Sequence, residues 1–296
     1  MMSFEKYKKD LPLRGRRGIL RQEAVMERDF FGWDSFAIRY GLVDGLGMIP
    51  EETEARHAHD YDQLLLFIGA DPADMMSLGA ELEVVLGEEG VRFIVTTPRA
   101  IVLPKGTPHF SPIVRKLDRP FFLVTINLTG KLEAKELPGP GPEEGPWSSF
   151  MGPYTNLVQE LRFMANDPYH YGSERCQPSG GVNLFVGPEC GLPVTWAWST
   201  VCLPHHLGPW KEDGLYHPHI HADFDEALML LSLDPDDLSD LHGRADFCAG
   251  PDEAQEHFLL TRSTVMAMPK GTPHLPLTYE VVEKPSVFIT MSLKRS

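Results

Sequence analysis

Four cysteines in 296 residues, Cys176, Cys190, Cys202 and Cys248, are scattered and form no CxxC pair. That excludes a disulfide framework and predicts a reduced, cytoplasmic protein. Positive charge is also scarce: 27 Lys and Arg stand against 42 Asp and Glu, a net charge of −15. Nucleic acid and anionic membrane both need a basic surface, so neither is an expected partner, and a small-molecule substrate is. No apolar run approaches the roughly 20 residues that span a bilayer. The opening stretch, Phe4-Glu-Lys-Tyr-Lys-Lys-Asp10 running into Arg14-Gly-Arg-Arg17, has no apolar core of an export signal. The GxSxG, P-loop, GxGxxG and HExxH patterns are all missing, which removes the commonest hydrolase, nucleotide and zinc-protease readings.

What the chain does contain is a duplication. Pro104-Lys-Gly-Thr-Pro-His109 recurs letter for letter as Pro269-Lys-Gly-Thr-Pro-His274, an offset of 165 (274 − 109). His57-Ala-His59 recurs as His219-Ile-His221 at an offset of 162 (219 − 57). Asp71-Pro72 echoes Asp234-Pro235, and Val124-Thr-Ile-Asn-Leu128 echoes Ile289-Thr-Met-Ser-Leu293. A registered series of matches this long marks an internal repeat of a whole domain. The length suits two domains of about 100–150 residues, each with its own core.

The histidines carry the chemistry. In a strand, residues two apart share a face, so His219 and His221 point the same way. Glu226 lies five residues on, just before the apolar run Ala227-Leu-Met-Leu-Leu231, where an uncompensated carboxylate would be expensive. His274 arrives after a tight Pro/Gly turn. Three imidazoles and one carboxylate form a ligand shell for Fe, Mn, Co, Ni or Zn with positions left open. The upstream copy offers His57, His59 and His109, with Gln63, a candidate ligand through its amide oxygen, where the carboxylate is expected. One or two ions per chain follow, with the first site holding its ion more weakly because Gln63 brings no charge. The second site, with the complete ligand set, is the expected seat of chemistry. His217 shares the face of His219 but reads as a rim residue. His205 and His206, in a Pro/Gly loop, read as surface residues, as do Lys105 and Lys270. Asp60, Tyr61 and Asp62 read as loop residues, with Tyr61 able to support the ligands by a hydrogen bond.

In order, residues 1–34 are charged and irregular and read as an arm. Residues 35–130 carry short, regularly punctuated strands, including the buried run Leu64–Ile68 and the hairpin at Gly87-Glu-Glu-Gly90. Residues 131–192 form a Pro/Gly-rich linker, with an amphipathic helix predicted over 154–165. Residues 193–296 repeat the strand pattern. The fold class is all-β, two tandem barrels.

At these motifs the chain resembles the cupin superfamily, whose first motif is HxH then Glu and whose second is PxG then His. Each occurs twice, so the chain resembles a bicupin of tandem double-stranded β-helix (jelly-roll) barrels over roughly 35–130 and 193–294. It departs at Gln63, at Pro98 and Ser263 in place of the second motif's leading Gly, and at Ile113 and Thr278 in place of its trailing Asn. The resemblance implies a homo-oligomer, a dimer, with the N-terminal arm lent to a neighbouring subunit. It also implies a metal-dependent enzyme on a small anionic or enolisable molecule, first of all a dioxygenase-like oxidoreductase. The alternatives are an O2-independent decarboxylase, hydrolase or isomerase, or a non-catalytic binding protein.

Overall fold

In the computed structural model, which describes residues 3–149, 151–164, 180–209 and 215–293, the run Leu64–Ile68 lies within strand Gln63–Gly69. Leu65 and Phe67 join an interior cluster with Leu82, Phe93, Ile101 and Leu123, while Leu64, Leu66 and Ile68 are fully buried on the other face. Burial on both faces is why this strand is continuously apolar rather than alternating. Each such side chain contributes roughly 1.5–3 kcal/mol on leaving water.

The chain divides into two units. One comprises Pro12–Leu161 with Glu189–Leu192. Its larger sheet has seven strands in the order Val158–Glu160, Arg99–Leu103, Gln63–Gly69, Phe121–Asn127, Ala37–Val43, Leu20–Met26, Leu13–Arg14. A four-stranded sheet (Gly47–Met48, Ile113–Leu117, Ala80–Leu86, Val91–Val95) faces it across the apolar cluster. The other unit comprises Met1–Leu11, Arg162–Pro188 and Pro193–Ser296. Its seven strands run Lys8–Asp10, Thr264–Met268, Glu226–Ser232, Ser286–Leu293, Val194–Val201, Gly180–Val186, Arg162–Met164. Its four-stranded sheet is His205–Leu207, His274–Val282, Asp240–Ala249, Glu256–Arg262, and the core between holds Leu228, Leu230, Phe247, Met266 and Phe288. The protein is all-β: among the described residues the one α-helix is the four-residue Arg28–Phe31. Among them, too, no helix is long and apolar enough to cross a membrane.

Two local expectations are corrected. The helix predicted over 154–165 shrinks to one 3-10 turn, Thr155–Leu157, followed by strands Val158–Glu160 and Arg162–Met164; residue 165 lies outside the described residues. Val158–Glu160 pairs antiparallel with Arg99–Ile101, and Leu157 and Val158 pack on the first core. An open sheet edge with unpaired backbone groups outweighs a weak helical period. The 1–34 segment does not behave as one arm. Lys8–Asp10 pairs with Thr264–Met266 within its own chain's second unit, while Leu13–Arg14 and Leu20–Met26 extend the first unit's sheet.

Candidate metal centres

The backbone places the second cluster before any side chain is considered. His219 and His274 exchange N–H···O bonds of 3.0 and 3.1 Å, fixing two of the imidazoles side by side. The Pro269-Lys-Gly turn needs Gly271 at a φ of +78°, which L side chains rarely adopt. The Gly271 N–H then donates to His221 O at 2.7 Å, and the Lys270 N–H to Asp225 Oδ1 at 3.1 Å. These bonds tie the turn to the approach of Glu226. That residue opens its strand and shares the interior face of Leu228 and Leu230.

The side chains converge. One ligand atom each from His219, His221, Glu226 and His274 lies within 4.8 Å of all the others. His219 Nε2 is 2.9 Å from His221 Nε2, and Glu226 Oε2 is 2.9 Å from His274 Nε2 and 3.4 Å from His221 Nε2. The His274 Nδ1–H donates to Thr272 O at 2.8 Å, so in the neutral ring Nε2 bears a lone pair toward the carboxylate. Electron-rich atoms at such distances share either a proton or a metal ion. Ligands about 2.1 Å from one ion sit about 3.0 Å apart at right angles and about 3.4 Å apart at the tetrahedral angle. The donor set and its spacing therefore fit a divalent transition metal.

The first cluster repeats the plan. His57 and His109 exchange backbone bonds of 2.9 Å in both directions, Gly106 at a φ of +79° donates to His59 O at 2.9 Å, and the Lys105 N–H donates to Asp62 Oδ1 at 2.8 Å. Each imidazole gives its Nδ1–H to a carbonyl: His57 to Ala55 at 2.8 Å, His59 to Glu133 at 2.6 Å, His109 to Thr107 at 2.9 Å. The three Nε2 atoms are buried without hydrogen-bond partners and lie within 4.8 Å of one another. A set of orphaned lone pairs turned inward is the arrangement of a metal site. Burial lowers the His59 pKa, favouring the neutral ring, and takes that of His109 down to about 3, so His109 stays neutral. At His57 burial works the same way, but the Glu51 carboxylate outweighs it and the pKa rises.

Gln63 faces this interior, yet its amide is held by another partner: Nε2 donates to Asn127 Oδ1 at 3.0 Å, leaving Oε1 buried and without a hydrogen bond. Asn127 donates onward to Tyr61 Oη at 3.0 Å, and the Tyr61 O–H donates to Glu133 O at 2.7 Å. That oxygen is the one that orients His59. In the other unit Phe224 takes the place of Tyr61 and only stacks on its histidine, with the centroid 4.4 Å from that of His221.

Two residues near the centres escaped the sequence reading. Glu51, in the loop before the histidine pair, is buried with Oε2 3.5 Å from His57 Nε2. Only its position in a Gly- and acid-rich loop is visible in the sequence, and nothing there marks it. His205 is not a surface residue: it opens strand His205–Leu207, is 2% exposed, and stacks on Tyr279 at 5.2 Å. Its Nδ1–H donates to Leu203 O at 2.8 Å and its Nε2 is buried without a hydrogen bond. Alternation with Leu207, a core residue, was the signal available. His217 stays out of the second cluster and meets Asp252 at 3.0 Å; Lys105 and Lys270 are exposed. A third grouping, Asp246, Cys248 and His257, lies on one hairpin, but burial and then Asp246 push the Cys248 thiol up to about 12, so it stays protonated and a poor ligand.

No family model matches the chain, and no curated protein matches it. Solved structures do. An oxalate decarboxylase studied for its substrate binding mode and a reaction specificity switch aligns with a TM-score of 0.59 at 14% identity, over 97% of this chain and 76% of that one. The Bacillus subtilis oxalate decarboxylase, studied for the fine structure of its Mn(II) centers, aligns with a TM-score of 0.58 at the same identity and coverage. At this identity the likeness is one of fold: the chain shares the tandem-barrel, all-β architecture of these oxalate decarboxylase structures.

Proposed function

We propose that this bicupin is a metal-dependent decarboxylase of small carboxylic acids, working at the second centre with Mn(II) as the first metal to test. The observation that carries the reading is the convergence of His219, His221, Glu226 and His274 on one point, with donors spaced as cis ligands. Its structural neighbours are decarboxylases, one of them with Mn(II) centers, which favours carbon–carbon cleavage over the dioxygenase chemistry that the motifs first suggest. Fold alone does not fix function, so the ligand set and the chemistry of the cavity have to carry the rest.

When bound, the ion supplies Lewis acidity and a template for a carboxylate substrate. The chain's residues define what surrounds it. The single carboxylate Glu226 offsets one of two positive charges, so the centre remains attractive to an anion. His221 has 23% of its side chain exposed, which gives the cluster an edge open to solvent. Leu228, Phe247 and Leu277 belong to the apolar core of the same barrel. His205 is buried against that core through its stack on Tyr279, and its Nε2, without a hydrogen bond, is available to accept one from a substrate acid that reaches it.

The test is direct. Protein loaded with Mn(II) and offered short dicarboxylic and oxo acids should release CO2 without stoichiometric O2 uptake, and Glu226→Gln should abolish the release. Uptake of one O2 per turnover with an oxygenated product would overturn the decarboxylase reading.

A further inference from the structure

We propose that Glu51 is the carboxylate of the first centre: from the loop ahead of the histidine pair it supplies the negative charge that Gln63 lacks. The inference rests on reading His57, His59 and His109 as the ligands of a divalent ion.

The geometry comes first. Glu51 Oε2 lies 3.5 Å from His57 Nε2 and accepts the Ser111 hydroxyl at 3.0 Å, while Oε1 is buried with no hydrogen-bond partner. The Glu51 side chain is 1% exposed. It stands just outside the three-nitrogen cluster, where it can accept a hydrogen bond from a water or acid bound to the ion, or swing in as a ligand.

The charges around it point the same way. Arg39 is the nearest buried guanidinium, but its Nη2 donates to Glu52 at 2.8 Å and its Nε faces Glu23 at 3.6 Å. Arg17 is likewise set against Glu23 at 3.3 Å. Two arginines thus pair directly with Glu23 and Glu52 and reach the Glu51 carboxylate only through longer-range charge, while His57 is the imidazole set against it. A buried carboxylate without a directly paired cation is costly, and an ion on the imidazoles lowers the cost.

The repeat supplies the control. In the first unit Met48 pairs with Ile113, and Glu51 lies three residues past Met48. In the second, His206 pairs with Thr278, the repeat partner of Ile113, so the position matching Glu51 is Pro209. The opposing Ser111 corresponds to Pro276. The unit whose strand begins with Gln63 has a buried carboxylate in this loop, and the unit whose strand begins with Glu226 has two prolines there. Each interior therefore keeps one carboxylate, delivered from different segments.

The experiment isolates the first centre with the His219→Ala/His274→Ala chain and titrates Mn(II) alone against a competing chelator, counting bound ion by electron paramagnetic resonance. Glu51→Gln should raise the Mn(II) Kd about 10- to 100-fold. Glu51→Asp, which keeps the charge, should stay within about fivefold of the parent. Gln63→Glu should largely restore binding in the Glu51→Gln background but change the parent little, because one carboxylate is already present. If Glu51→Gln binds as the parent does, if Glu51→Asp binds no better than Glu51→Gln, or if Gln63→Glu tightens both backgrounds equally, the assignment is overturned. A parent that takes up no Mn(II) would instead bring down the metal-centre reading beneath it.

Discussion

Lowering pH should weaken ion binding at the first centre by one proton, not three. Three ordinary imidazoles, each with a pKa near 6.5, would compete with a metal through up to three protons, about a thousandfold loss per pH unit once all are protonated. Here burial takes His109 down to about 3, so its lone pair stays available through the acid range, and burial lowers His59 so that it competes for protons less than a free imidazole. His57 alone is shifted upward, since Glu51, itself held at about 2, keeps its proton on. The sign follows: a raised pKa means His57 is protonated in the ion-free protein below its shifted midpoint, and a metal must expel that proton. From pH 6.5 to 5.5 the Mn(II) Kd should therefore rise about tenfold, or about 1.4 kcal/mol, and flatten at higher pH. Titration of the His219→Ala/His274→Ala chain, corrected for the chelator's own protonation, measures the slope, and calorimetry in two buffers counts the proton released. A slope near three would refute the claim that burial lowers His59 and His109. A slope of zero would refute the upward shift of His57.

Gly271→Ala should lower stability by about 1–2 kcal/mol through the left-handed backbone alone, since no atom lies within 4 Å of the added Cβ. Chemical denaturation reads this, and Gly271→Asn should recover part of the loss because Asn tolerates that region. His205→Phe keeps the stack on Tyr279 and removes a buried nitrogen without a hydrogen bond, worth roughly 1–3 kcal/mol, against about 1 kcal/mol for the lost bond to Leu203 O. The midpoint of thermal unfolding should therefore hold or rise, and a clear fall would refute that balance. CO2 release should fall in the same variant, and unchanged turnover would remove His205 from the site.

The repeat made much of this legible. Letter-for-letter identity of the two Pro-Lys-Gly-Thr-Pro-His segments carried the two-barrel fold, because such a turn needs the same left-handed glycine in each copy. The histidine pairs are legible on an assumed strand alternation, whereas the backbone there forms only the two-residue strand His57–Ala58 and an isolated bridge at His219. Other features depend on contacts remote in sequence. Leu157 and Leu161 have a helical spacing, but the free edge of Arg99–Leu103 draws Val158–Glu160 between them into a strand. His205 lies among prolines and glycines, and only pairing with Tyr279 draws it inside. Glu51 lies six residues before His57 and is brought to it by a loop that no periodicity describes.

Gln63 shows how far a motif departure can mislead when read alone. Taken by itself, Gln for Glu subtracts a charge from the first centre and ranks it the weaker. Glu51 returns that charge, so the two centres do not differ in the count of carboxylates in their interiors. What does separate them is access. His57, His59 and His109 are 0%, 5% and 2% exposed, whereas His221 in the second centre keeps an open edge. On the function proposed above, equal charge with unequal access favours the second centre for substrate exchange. In the first centre the imidazoles are each pinned by a carbonyl and Glu51 is backed by Ser111, so its donors are the more rigidly oriented set.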